Sequence, residues 1–442
     1  MKKGKITARL CVLALIFLFA VQGGSLFAGG GQQKNQAASA TGPLSGEIRF
    51  TWWGNEERNE ATLKVISAYE ALHPGVKITP EYSGYDGVYN KLMSQIAGGN
   101  APDVFTLSAE WLAPVVSQKA ALNVTNLLDV STHNPEVNKS CSIDGVLYGA
   151  NISLNANVVY FNKTLADELG IKVPTGSYTW DDLIRICAEA YMKSGGKVYG
   201  MQDPRMQRDL QDLIPVWNIT HLGKEPPFPW TDKEMIMTGQ DVANFMDYFG
   251  KLPAGVILPP AESVNLQQQD LPFLHRKTLM GFQFASWFGY YQGMTKDELV
   301  MIEYPHDGKG KGAAVFAKPG LITCVYANSK NPRVAVDFIN YLANDPEVGK
   351  TLKSVRGVLP STSQRNAVLS SPGILTDTDQ KVFSIVGQIY DKTVNPYFAG
   401  PAGTYDLFDR DLLTVGEEVG YGRLTPAQAG ARFEELKKDL GR

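Results

Sequence analysis

The stretch over residues 46–108 constrains this chain more than any other. In "EIRFTWW", Ile48, Phe50 and Trp52 alternate as in a strand. "RNEATLKVISAYEALH" follows, with Val65, Ala68, Tyr69 and Leu72 at helical spacing until Pro74-Gly75 stops it. "VKITPEY" is the next strand, "DGVYNKLMSQIA" sets Val88, Leu92 and Ile96 on one helical face, and "DVFTLS" is a third strand. Strand–helix–strand–helix–strand with short connections implies a parallel sheet covered by helices. In such sheets the loops after the strand C-termini line the ligand crevice, which places residues 53–57 and 108–111 on one rim. Trp53 breaks the alternation just before Gly54. It is either one more core aromatic or a flat apolar platform at the edge of a site.

The remaining length exceeds what a single core supports, so two domains are expected. "NANVVYFN" reads as a strand, and "TWDDLIRICAEAYMKSGG" as an amphipathic helix capped by Thr179. Residues 200–300 are rich in proline and aromatics, and "NPRVAVDFINYLAND" and "TPAQAGARFEELKKDL" are two further amphipathic helices. No repeat of solenoid length occurs.

The first residues set the compartment. "MKKGKITAR" is basic, and "LCVLALIFLFAV" is an apolar run too short for a bilayer but suited to a signal-peptide core. Small residues then place cleavage after Ala28, and a glycine run stands where a lipoprotein would carry cysteine. The expectation is a signal peptide over 1–28, a flexible tether over 29–45, and a soluble periplasmic protein. The leader holds four basic residues and no acid, so its removal takes the formal net charge from −3 to about −7. A mildly acidic surface argues against nucleic acid or anionic membrane as partner. Of the cysteines outside the leader, Cys187 and Cys324 read as buried small hydrophobes. One disulfide using Cys141 stays open.

Catalytic signatures are missing: there is no H-E-x-x-H, no G-x-S-x-G and no complete phosphate loop. The histidines at 73, 133, 221, 275 and 306 share no metal-ligand spacing. A glycosidase needs two carboxylates facing across a sugar; Glu56 and Glu57 are adjacent, leaving Glu110 as the only distant partner considered. The positive signal is aromatic residues beside polar ones at strand ends. Trp53 precedes "GNEE", Trp111 follows Glu110, and Trp287 lies between "FQFAS" and "FGYY". Sugars present apolar C–H faces and hydroxyl edges, which call for aromatic faces, carboxylates and amides. Trp180, Trp217 and Trp230 read as structural.

Taken in order, these pieces resemble the family 1 extracellular solute-binding proteins of ABC importers, the group that includes maltose-binding proteins. The likeness runs over 46–442. It rests on "TWWG", "VISAYEALHPGVKI", "MSQIAGGNAPDVFTL", "DGVLYGA", "VVYFNKTLADELGIKVPTGSYTWDDL", "ASWFGYY", "YANSKNPRVAVDFINYLANDPEVGK", "RGVLPS" and "YGRLTPAQAGARFEEL". The resemblance implies an α/β, two-lobed periplasmic-binding-protein fold. Each lobe would be a mainly parallel sheet flanked by helices, with a hinge and a ligand cleft between them. It divides the chain into an N-terminal lobe of 46–153 and 312–361 and a C-terminal lobe of 154–311 and 362–442.

The resemblance also implies contacts. Asn55, Glu56 and Glu57 stand beside Trp53 in the loop after the first strand, and Glu110 and Trp111 stand after "PDVF". Asn155 lies on the crossing strand, Trp287 matches the stacking tryptophan, and Arg356 matches a polar position of some members. Arg208, Tyr397 and Phe398 come from second-lobe loops. Where many members have proline after "LYG", this chain has Ala150-Asn151, which leaves the cleft floor less predictable. The implied function is a monomeric receptor that binds a sugar or oligosaccharide and delivers it to membrane permease subunits, without cofactor, metal or catalytic residue. A neutral or amino sugar fits the tryptophans and acids. Arg208 and Arg356 keep a phosphorylated or acidic solute (glycerol phosphate, uronate) as the alternative, and an exported glycoside hydrolase stands behind it.

Overall fold

The computed structural model describes residues 42–440 apart from 86, 208–209, 224–233, 265, 307–316, 394–399 and 402. The leader, most of the tether, Trp230, Arg208, Tyr397 and Phe398 therefore lie outside the described residues. No helix among those described is long and apolar enough to cross a membrane.

The opening pattern folds as its periodicity predicts: β1 (Ser45–Trp53), α1 (Glu56–Leu72), β2 (Gly75–Ser83), α2 (Val88–Ala97) and β3 (Val104–Leu107). β1 pairs in parallel with β2, setting Ile48 opposite Ile78, and with β3, setting Phe50 opposite Val104. β4 (Gly149–Asn155) and β8 (Lys318–Val325) complete a five-stranded sheet in the order β2-β1-β3-β8-β4. β8 runs antiparallel to both its neighbours. Gly149 is required here, because a Cβ at that position would meet Thr323 O at 2.6 Å and Cys324 Sγ at 2.8 Å.

After β4 only Ala156 separates Asn155 from β5 (Asn157–Asn162), which belongs to a second sheet. Its neighbours are β6 (Met280–Phe284) and β7 (Leu299–Ile302). Both are antiparallel to β5, so the expectation of a mainly parallel second sheet is corrected. The helical segment between β5 and β6 delivers the chain to the far end of β5, and β6 runs back with Phe284 opposite Asn157. That direction carries Trp287 to the same end as the β4–β5 crossing.

Helices cover this second sheet. α3 (Trp180–Lys193) begins in a capping box of Thr179 and Asp182, and Trp180 is buried, donating from Nε1 to Thr220 Oγ1 at 2.8 Å. α4 (Leu210–Leu222) holds the buried Trp217. On the larger sheet, Phe338 of α5 (Pro332–Asn344) packs edge-on against Phe50 and Tyr69. α6 (Thr362–Leu369) also sits on this side: Gln364 Nε2 donates to Leu342 O and Asp345 O, both at 3.1 Å. Cys141, Cys187 and Cys324 are all free and buried. Burial pushes the Cys141 thiol up to about 12, and no disulfide forms among the three.

Candidate functional site

A cleft of about 530 Å³ opens where the ends of both sheets meet, within the range of small-molecule sites. Trp53, at the end of β1, forms part of its wall and is 7% exposed. Its ring packs on Trp111 and Tyr85, with centroids 5.1 and 5.6 Å away, and Tyr85 stacks on Trp111 at 5.5 Å. The two readings of Trp53 are thus both met: most of the ring is core, and one edge borders the cleft. Trp52 is fully buried and donates from Nε1 to Asn59 Oδ1 at 2.9 Å.

Glu110 lines the cleft just after β3. Ser108 Oγ donates to its Oε1 at 2.6 Å, while Oε2 is buried with no hydrogen-bond partner. An unpartnered buried acceptor is costly unless a donor arrives to meet it. Asn155, on the crossing strand, is oriented by Ser286: Asn155 Nδ2 donates to Ser286 Oγ at 2.8 Å and Ser286 N to Asn155 Oδ1 at 3.2 Å. Lys318 lies opposite Asn155 in the ladder and also borders the cleft. Behind it Asp212 of α4 is fully buried, its Oδ2 accepting from Asn157 Nδ2 at 2.6 Å and lying 3.9 Å from Lys318 Nζ. Burial pushes the Asp212 carboxyl up, against the opposing pull of Lys318 and Asn157.

The facing wall carries Trp287, 37% exposed, stacked on Tyr291 at 6.0 Å and met edge-on by Tyr290. The cleft is also lined by five glutamines, Gln202, Gln207, Gln211, Gln267 and Gln283. Asp409 and Glu417 face it from the segment that runs through the wide turn Leu407–Leu412 into α7 (Leu413–Gly420). Sequence reasoning missed the five glutamines and these two acids. Gln207 is extended and precedes α4, so its four-residue spacing from Gln211 carries no helical signal. These residues come together only through folding.

The structure thus brings Trp53, Glu110, Asn155 and Trp287 to one cleft. Trp111 borders an adjoining cavity that shares Tyr85 and Glu110 with it. Asn55, Glu56 and Glu57 stand elsewhere: Asn55 caps α1 by accepting from Arg58 N at 3.0 Å, and the two acids occupy the first helical turn. There they complement the helix dipole and face solvent. Arg356 is corrected as well. It is buried under α1, donates from Nη2 to Thr62 Oγ1 at 2.7 Å, and leaves Nε and Nη1 without partners. Burial and the neighbouring Arg58 charge push its pKa down to about 9. No group of three or more potential metal ligands occurs among the described residues.

Comparison with known proteins agrees with this architecture. A family model described as bacterial extracellular solute-binding protein matches residues 64–377. An uncharacterized ABC transporter extracellular-binding protein of Pyrococcus horikoshii is 26% identical over 359 residues, covering 77% of this chain and 79% of that protein. The match to Brucella abortus binding proteins spans 45% of their length. A family 1 extracellular solute-binding protein of Alicyclobacillus acidocaldarius superposes with a TM-score of 0.72 at 24% identity, covering 91% of this chain and all of that one. A periplasmic oligogalacturonide-binding protein of Yersinia enterocolitica superposes with a TM-score of 0.70 at 21% identity, covering 90% of this chain and 100% of that one. With the family model spanning most of the sequence and the same fold recurring in its members, the chain belongs to the bacterial extracellular solute-binding proteins.

Proposed function

We propose that this protein is the extracytoplasmic receptor of an ABC importer, which closes on a sugar or oligosaccharide and delivers it to the membrane permease. The observation that carries the reading is the cleft's composition: Trp53 and Tyr85 on one wall, Trp287 on the other, and glutamine amides and carboxylates between them. Aromatic faces match the C–H faces of a pyranose, and amides match its hydroxyls as both donors and acceptors. The two lobes are taken as 46–153 with 312–361, and 154–311 with 362–442, save that α6 (Thr362–Leu369) packs on the first lobe through Gln364. Closure follows as a population shift, because a solute that touches both walls stabilises the closed form over the open one.

Among the described lining residues the acids Glu110, Asp409 and Glu417 outnumber the one cation, Lys318. This balance favours a neutral or amino sugar over a sugar acid or phosphate. The Yersinia neighbour binds an oligogalacturonide, so the acidic alternative stays in the test. A thermal-shift screen of the mature protein against neutral sugars, sugar acids, polyols and polyamines decides. Neutral or amino sugars should raise the melting temperature. If no carbohydrate did so while a polyamine or amino acid did, the sugar reading would fail. Release of shortened sugars during prolonged incubation, lost in Glu110→Gln, would instead make the protein a hydrolase.

A further inference from the structure

The cavity adjoining the main cleft has its own chemistry. It encloses about 390 Å³ and is separated from the cleft by the side chains of Tyr85 and Glu110, which border both. Three aromatic side chains line it: Tyr85, Tyr89 and Trp111. The rings of Tyr85 and Tyr89 lie 5.5 and 5.1 Å from that of Trp111. Two carboxylates, Glu110 and Asp406, line it beside the neutral Asn90 and Thr404, and no cation does so among the described residues. Arg410, one turn beyond Asp406, lies outside the lining; it is engaged by Asp411 through Nε at 2.9 Å and also feels the Asp406 charge. The field of Asp406 reaches into the chamber, where it adds to burial in holding the Tyr89 hydroxyl protonated. The second oxygen of Glu110 is buried and has no donor.

Aromatic rings with two carboxylates and no cation among the described lining residues form an environment for a positive charge. A neutral hydroxyl gains one hydrogen bond there, whereas an ammonium gains the carboxylates and the ring quadrupoles together. We propose that this chamber is a subsite for a protonated amino substituent, so that the receptor prefers an amino-substituted oligosaccharide to its neutral or acidic counterparts. The proposal rests on the reading of the main cleft as the sugar site, with one ring held there and the aminated ring reaching past Tyr85.

The test compares β-1,4-linked di- and trisaccharides of glucose, N-acetylglucosamine and glucosamine with digalacturonic acid, by calorimetry on the mature chain where the amine is protonated. The glucosamine series should bind at least about tenfold more tightly than the glucose series, and added salt should shrink that gap. Asp406→Asn, at an exposed position, should narrow the gap between the aminated and neutral series. Equal or tighter binding of the glucose, N-acetylated or acidic series would overturn the proposal and leave the sugar reading standing. An unchanged gap in Asp406→Asn would also overturn it. Binding of no saccharide at all would remove both readings.

Discussion

Asp212 and Lys318 face each other at 3.9 Å across the junction of the two sheets, the carboxylate fully buried on α4 and the ammonium at the cleft edge of β8. Asn157, at the start of β5, donates to Asp212, so Asp212 meets both β5 and the Lys318 edge of β8 at the floor of the cleft.

The burial of Asp212 makes stability depend on pH. Burial first, and the Glu110 charge after it, raise the Asp212 pKa above its unfolded value, despite Lys318 and Asn157. The protonated form is therefore favoured by folding. The Asp212 contribution is fully present below the unfolded carboxylate pKa and is lost as pH rises through the raised folded value. Melting temperatures of wild type and Asp212→Asn across this window should show the wild type losing ground to the variant as pH rises. Parallel curves would mean that Asp212 does not titrate differently on folding.

Trp287→Ala should weaken sugar binding by about 1–3 kcal/mol through lost stacking and apolar contact. The side chain is more than a third exposed in the free protein, so the melting temperature without ligand should barely move. Calorimetric titration paired with a melt checks both halves. Intact affinity in a folded variant would place Trp287 outside the solute contact.

Arg356→Met should leave affinity for any cleft ligand unchanged, since Arg356 lies beneath α1 and contributes nothing to the cleft wall. Replacing a buried guanidinium that has two unpartnered nitrogens by an apolar side chain of similar length should leave stability unchanged or raise it. Denaturant melts measure this directly. A large loss of stability would reveal a counter-charge or water network around the guanidinium.

Gly149→Ala should destabilise the fold by about 1–3 kcal/mol through overpacking. The new methyl group would press on Thr323 O and Cys324 Sγ, forcing β4 away from β8. Because β4 continues into the crossing, affinity should fall along with stability. Unaltered denaturation midpoints would show that the two strands can separate without cost.

Much of the fold is legible locally. The alternation of Ile48, Phe50 and Trp52 and the helical spacing of Val88, Leu92 and Ile96 specify β1 and α2, because each pattern buries one face only with its own period. Caps such as Thr179 with Asp182 are equally local. The same local chemistry misleads at Asn55, Glu56 and Glu57. Polar residues after a strand suit a ligand rim, but they also suit the start of a helix, and the hydrogen bond from Arg58 N decides for the helix.

The βαβαβ unit, the export-type leader pattern and the aromatic residues that end strands are written in local sequence, since these depend on neighbours a few positions apart. The direction of β6 and β7, the burial of Arg356 and the meeting of Glu110 with Gln202, Trp287 and Glu417 emerge only in the folded chain. Those outcomes depend on which distant segments share a core and which polar groups are stripped of water. Desolvation and long-range packing are properties of the assembled chain, and no short stretch of it carries them.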